Sequence, residues 1–202
     1  AITANVVTHQ SDFTRSNNNK YKYSNEDFDQ LYDLLERSLG KDLASQYKNR
    51  LFYRFCNIIS YENISEDLKA RMLSHPEELS RTDFLAMYND WNNLSDSVKQ
   101  AVYDNPTNPN VLNLLSFAER GDHKIPAKDI EKVVPNLFNK EQMEKNGIGG
   151  KWGVSSSWYD AVDALLGKPY RYENVDDYRK ILEQVPMNET FAGNAPVGVL
   201  EK

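Results

Sequence analysis

The feature that most constrains this chain is the spacing of its oily residues. From residue 24 onward they recur three and four apart, segment after segment, and no stretch of five or more alternates. A period of 3.6 places such residues on one face of a helix, whereas a half-buried strand needs a period of two. Phe28, Leu31, Tyr32, Leu35 and Leu39 form the first stripe. Ser24 with Asp27 marks its start and Gly40 its stop. A second helix is expected over about 41–60. Its stripe of Leu43, Tyr47, Leu51, Phe55 and Ile58 is widened by Phe52, Cys56 and Ile59. That width predicts a central helix with neighbours on two sides.

The pattern continues as far as Val185. Ser65 to Ser74 reads as a short helix stopped at His75-Pro76, because the residue before proline avoids the α region. Ser80 and Asp83 repeat the capping signature ahead of Phe84, Leu85, Tyr88, Trp91 and Leu94. Ser95 opens a helix carrying Val98, Ala101 and Val102. Pro109 suits a first helical position before Val111, Leu112, Leu115 and Ala118, with Gly121 as the stop. Pro126 begins a helix with Ile130, Val133, Val134 and Leu137 inward, which Pro135 should kink or split. Ser155 to Leu166 and a helix from Asn174 or Val175 to Val185 complete the series.

Capped amphipathic helices joined by short turns predict an all-α fold, an irregular multi-helix bundle. The expected organisation is a mobile N-terminal arm over 1–23, a helical domain over 24–186 and a tail over 187–202. Asparagine makes up about one residue in ten, which reads as compositional bias and not as chemistry.

Charge narrows the function classes. The formal net charge is −6, and no Lys/Arg cluster exceeds local pairs. That argues against a nucleic-acid partner and against an anionic membrane surface. No apolar run approaches the ~18 residues of a membrane span. One cysteine excludes an intrachain disulfide. The three histidines lack ligand spacing, so neither metal nor cofactor is expected. Cys56 sits within an apolar helical face, where thiols pack rather than react. His123 beside Asp122 could be an oriented base, but only three histidines are scattered along the chain. The tripeptide Arg120-Gly121-Asp122 occurs in integrin ligands, yet Gly121 already serves as a helix stop.

The stretch "NGIGGKWGVSSSW", 146–158, holds four of the nine glycines and two of the three tryptophans. It is not a P-loop, because Gly150-Lys151 is followed by Trp152 instead of Ser or Thr. It is not a dinucleotide fingerprint either, since the glycine spacing and the βαβ setting are missing. It combines flexible backbone with a helix start whose N–H groups face outward, a lysine and an aromatic face. Gly147, Gly149, Gly150, Lys151, Trp152 and Ser155 are therefore the expected contact residues for a partner protein. Trp152 would be the anchor and Lys151 the partner of a carboxylate. The alternative is a connection between helices whose tryptophans belong to the core.

"NIISYENIS" supplies a rival. Ile58-Ile59-Ser60-x-Glu62 resembles the end of the catalytic helix in goose-type lysozymes and lytic transglycosylases. The resemblance implies a cell-wall glycosidase with Glu62 as general acid, held protonated by an apolar setting. Asn63 stands in place of the family's serine, and its following glycine motif is missing. The alternative for Glu62 is an exposed turn residue. The Trp-x-x-x-Glu signature of bacterial exchange factors for Rho-type GTPases is also missing: Ser95, Ser156 and Val162 follow the three tryptophans.

Residues 1–23 are rich in Ser, Thr and Asn and resemble export segments of some bacterial secretion systems. The chain also begins at Ala1 and not at Met. The expectation is an exported bacterial protein, secreted or periplasmic, that recognises another protein as an effector or immunity protein does.

Overall fold

The computed structural model describes residues 21–79, 81–120, 125–149 and 156–186, with the side chains of 81–83, 119–120 and 156 set aside. The described residues form ten α-helices and no strand: α1 Asn25–Leu39, α2 Lys41–Ile58, α3 Glu66–Ser74, α4 Arg81–Asn89, α5 Asp96–Asp104, α6 Pro109–Ser116, α7 Ala127–Leu137, α8 Lys140–Lys145, α9 Ser156–Leu166 and α10 Val175–Glu183. The fold is all-α. Contacts group the chain into two compact units, Ala1–Met72 and Leu73–Lys202.

The first unit is built on a helical hairpin. Ser24 caps α1 through a reciprocal box: its hydroxyl accepts from the Asp27 N–H, and the Asp27 carboxylate accepts from the Ser24 N–H at 2.8 Å. Gly40 turns the chain at φ 81°, ψ 160°, a region almost confined to glycine. Its N–H satisfies the Glu36 carbonyl, and its own carbonyl accepts from Ala44. Phe28 then meets Phe52 edge-on at 4.9 Å and Phe55 at 5.6 Å. The Arg71 guanidinium, on α3, lies 4.8 Å from the Phe28 ring centre and pairs with Asp29 at 2.8 Å. Tyr21 to Tyr23, the last residues of the expected arm, are held against 63–65. The Tyr23 N–H donates to Asn63 and its carbonyl accepts from Ser65, the one isolated bridge described.

The second unit is organised around α6, where Val111, Leu112, Leu114 and Leu115 are all buried. A helix covered all round belongs to a core, and α4 and α9 pack against it. Asn108 caps it with Pro109 in the first turn. α7 packs against α5 and α10. Trp158 of α9 is fully buried, stacks edge-on with Phe138 at 5.3 Å and donates its indole N–H to the Leu137 carbonyl at 2.9 Å.

Several local expectations need correction. Pro135 does not split its helix: α7 runs through it to Leu137. The bond forfeited is the one to the Glu131 carbonyl, and Pro135 sits exposed in the last turn, where little remains to break. The helix expected to carry Trp91 ends at Asn89, and Trp91 opens a separate 3₁₀ turn, Trp91–Asn93. The six-residue α8 was not expected. The Ser80 cap and the Gly121 stop lie outside the described residues.

Nor is the asparagine content mere bias. Asn110 is fully buried; its carbonyl accepts from the Leu79 N–H at 2.7 Å, and its amide donates to His75 O at 3.0 Å and Glu77 O at 2.8 Å. Asn108 also donates to His75 O, and Asn113 to the Glu78 carboxylate. Asn108 at the cap of α6 and Asn110 in its first turn thus satisfy the backbone of the irregular segment 75–79, and Asn113 holds the Glu78 side chain.

Candidate functional site

The glycine-rich stretch is anchored at both described ends. At its start, Gly147 adopts φ 72°, its N–H donates to Glu144 O at 3.0 Å, and the Ile148 N–H reaches Met143 O at 2.8 Å. Met143 and Ile148 are both buried. These two bonds and the apolar pair make a Schellman cap. Asn146 ties the same corner down by donating to the Thr107 hydroxyl at 2.8 Å. Gly147 therefore has a structural function in ending α8. Gly149, at φ 80°, is exposed, and a methyl built on it meets nothing within 4 Å. At the far end, Trp158 belongs to the core. Gly150, Lys151, Trp152 and Ser155 lie outside the described residues.

The other candidates separate cleanly. Glu62 lies in the 3₁₀ turn Tyr61–Asn63 with its side chain exposed; its backbone carbonyl accepts from the Lys22 ammonium. It lines neither cavity described below. The apolar enclosure a general acid of this kind requires is not around it. Cys56 is fully buried beside Phe52 and Phe55 on the inner face of α2. Asp122 and His123 lie outside the described residues. Among the described residues no group of three His, Cys, Asp or Glu side chains could hold a metal ion. No helix among them is long and apolar enough to cross a membrane.

A different surface carries the strongest signal. Leu35 and Leu39 of α1 and Leu43, Tyr47, Arg50, Leu51 and Arg54 of α2 line a groove of about 420 Å³ on one face of the hairpin. Leu39 and Leu43 are each 41 % exposed and Tyr47 43 %. Ile58, one turn past Arg54, is 54 % exposed. The two-sided burial expected for α2 is thus not what the structure holds. Ala44, Phe52, Phe55 and Cys56 take the inner face, and the Leu43–Tyr47–Ile58 flank stays open to solvent. Scattered exposed leucines are ordinary, but a contiguous stripe of this kind marks contact surfaces. The signal was present in the sequence as a stripe too wide for one neighbour, with Arg50 and Arg54 along its edge.

A second, smaller cavity of about 250 Å³ is lined by Ile125, Pro126, Ala127, Arg171, Tyr172, Glu173 and Asp177. Two of its polar side chains are already engaged. Arg171 donates to the Ala118 and Ala164 carbonyls, and the Tyr172 hydroxyl donates to Leu165 O at 2.6 Å. Burial pushes that hydroxyl well above the ordinary tyrosine range. These two side chains close the end of α9.

Searches of protein-family models, of curated proteins and of solved structures give no match to this chain.

Proposed function

We propose that this protein recognises another protein through exposed helical surface. The observation that supports this reading is the open apolar groove of the α1–α2 hairpin, where Leu39, Leu43 and Tyr47 stay two-fifths exposed. Exposed apolar surface of that continuity is unfavourable in water, and covering it with a partner removes the penalty. The stretch 146–158 is the second proposed contact region. The capped end of α8 before it and the buried Trp158 after it give a fixed base for presenting Lys151 and Trp152. Export of the chain belongs to the same proposal and rests on the composition of residues 1–23.

The test is site-specific photo-crosslinking in the producing cell. A benzophenone side chain at Tyr47 and another at Lys151 report on the two regions, with Glu141 on exposed α8 as control. A discrete adduct with another protein at Tyr47, absent at Glu141, is expected. No adduct at either Tyr47 or Lys151 refutes the reading. Fractionating the same cells locates the protein and checks export.

A further inference from the structure

The groove has a chemical polarity that restricts what can fill it. Its two charged lining residues, Arg50 and Arg54, are both basic, one turn apart at one end of an otherwise leucine and tyrosine surface. Among the described residues neither guanidinium makes an ion pair. Of the acids of α1, Asp29 pairs with Arg71 at 2.8 Å and Asp33 with Arg37 at 2.7 Å. Leu43 to Arg54 covers about 17 Å of helix, or three turns.

Resting on the recognition reading above, we infer that the α1–α2 groove takes an amphipathic helix about three turns long, with leucine-like side chains on one face and carboxylates where it meets Arg50 and Arg54. The occupant is a helix because the cleft runs between two helices, and a third fits by seating its ridge there. No sheet edge exists among the described residues to accept an added strand. The occupant is acidic because two uncompensated guanidinium groups repel a basic or arginine-rimmed face. A second copy of this chain would bring its own Arg50 and Arg54 and no carboxylate from the same lining. Self-pairing therefore concentrates like charge where a carboxylate-bearing helix neutralises it.

The experiment uses the full chain and a labelled synthetic helical peptide of about four turns, leucine on one face and glutamate beside it. A second peptide carries lysine in place of glutamate. Fluorescence anisotropy should show the glutamate peptide binding about tenfold tighter, the size expected of two partly exposed ion pairs. In Arg50→Glu/Arg54→Glu the order of the two peptides should invert. In Leu43→Ser/Tyr47→Ser both should bind weakly. All four side chains are partly or fully exposed, so circular dichroism should report unchanged helix content. Equal affinity for the two peptides, or no inversion, overturns the inference. So does a dimer in sedimentation that Leu43→Ser/Tyr47→Ser dissolves, because the occupant is then a second copy. If Tyr47 crosslinks to another protein while the peptides show no charge preference, the recognition surface stands and the acidic occupant falls.

Discussion

Trp91 and Asp129 meet through one buried hydrogen bond, the indole Nε1 donating to the carboxylate Oδ2 at 2.9 Å. The other carboxylate oxygen accepts from the Tyr103 hydroxyl at 2.7 Å. One side chain in the first turn of α7 thereby satisfies a donor from the 3₁₀ turn after α4 and another from α5. Asp129 is 5 % exposed, so water cannot replace it. Asp129→Ala should lower stability by about 2–4 kcal/mol, because two buried donors lose their acceptor. Asp129→Asn keeps one acceptor oxygen and should lose less. Urea unfolding followed by tryptophan fluorescence measures both, and equal midpoints for wild type and Asp129→Ala would contradict this account.

Asn110 should be as hard to replace. Its amide makes three hydrogen bonds to the backbone of 75–79. Asn110→Ala leaves those groups unpaired and should destabilise by about 2–4 kcal/mol. Asn110→Asp keeps the acceptor for Leu79 but turns an anionic oxygen toward two carbonyls, so it should be no better. Thermal unfolding of the two variants, compared with exposed Asn92→Ala, checks this.

The hairpin turn gives a backbone prediction. A methyl group on Gly40 meets nothing within 4 Å, so a clash is not the issue. The dihedral angles are, and Gly40→Ala should lose about 1–3 kcal/mol. Because Leu39 and Leu43 flank the turn, the same substitution should weaken peptide binding in the groove. An unchanged melting temperature would show that the turn relaxes without strain.

Gly147 is expected to act on structure alone. Gly147→Ala places a side chain at φ 72° and should weaken the α8 cap by about 1 kcal/mol. Faster hydrogen exchange at the Ile148 amide, with crosslinking at Lys151 unchanged, would separate this function from partner contact.

Alkaline pH should unfold the protein through its tyrosines. Tyr103 is held above the usual range by burial and then by its bond to Asp129. Burial does the same for Tyr172 and Tyr178, whose hydroxyls donate to the Leu165 and Leu166 carbonyls. Burial, then the bond to Asp27, pushes Tyr21 up to about 12. An unfolded tyrosine ionises near 10.0, so above that value the native state holds more protons than the unfolded chain. Stability is therefore complete below pH ~10 and falls as pH rises beyond it. The urea midpoint should hold steady up to about pH 10 and drop as pH rises from there toward about 12, and drop less in Tyr172→Phe/Tyr178→Phe. A midpoint that holds steady across that rise would refute the coupling.

The local signals were readable along the chain because they act within one helical turn. Ser24 with Asp27, Ser95, Asn108 before Pro109, and Asn174 each cap the helix that follows them, through side chains two or three residues from the amide they satisfy. Trp158, Ala161, Val162 and Leu165 likewise recur at helical spacing, and all four are buried. The carboxylate of Asp129 gave no such sign, since its donors lie 38 and 26 residues away. Neither did Asn110, whose value depends on the irregular segment that reaches it.

Helix type and helix ends thus follow from neighbours in the chain, through dihedral preferences and short-range hydrogen bonds. Which flank of a helix is covered does not. The wide stripe of α2 demanded burial on both sides, but burial needs a second body, and among the described residues one covers Ala44, Phe52, Phe55, Cys56 and Ile59 and not the opposite flank. Leu43 and Tyr47 are left in water because packing is a contest over limited core volume, settled by elements far apart in sequence.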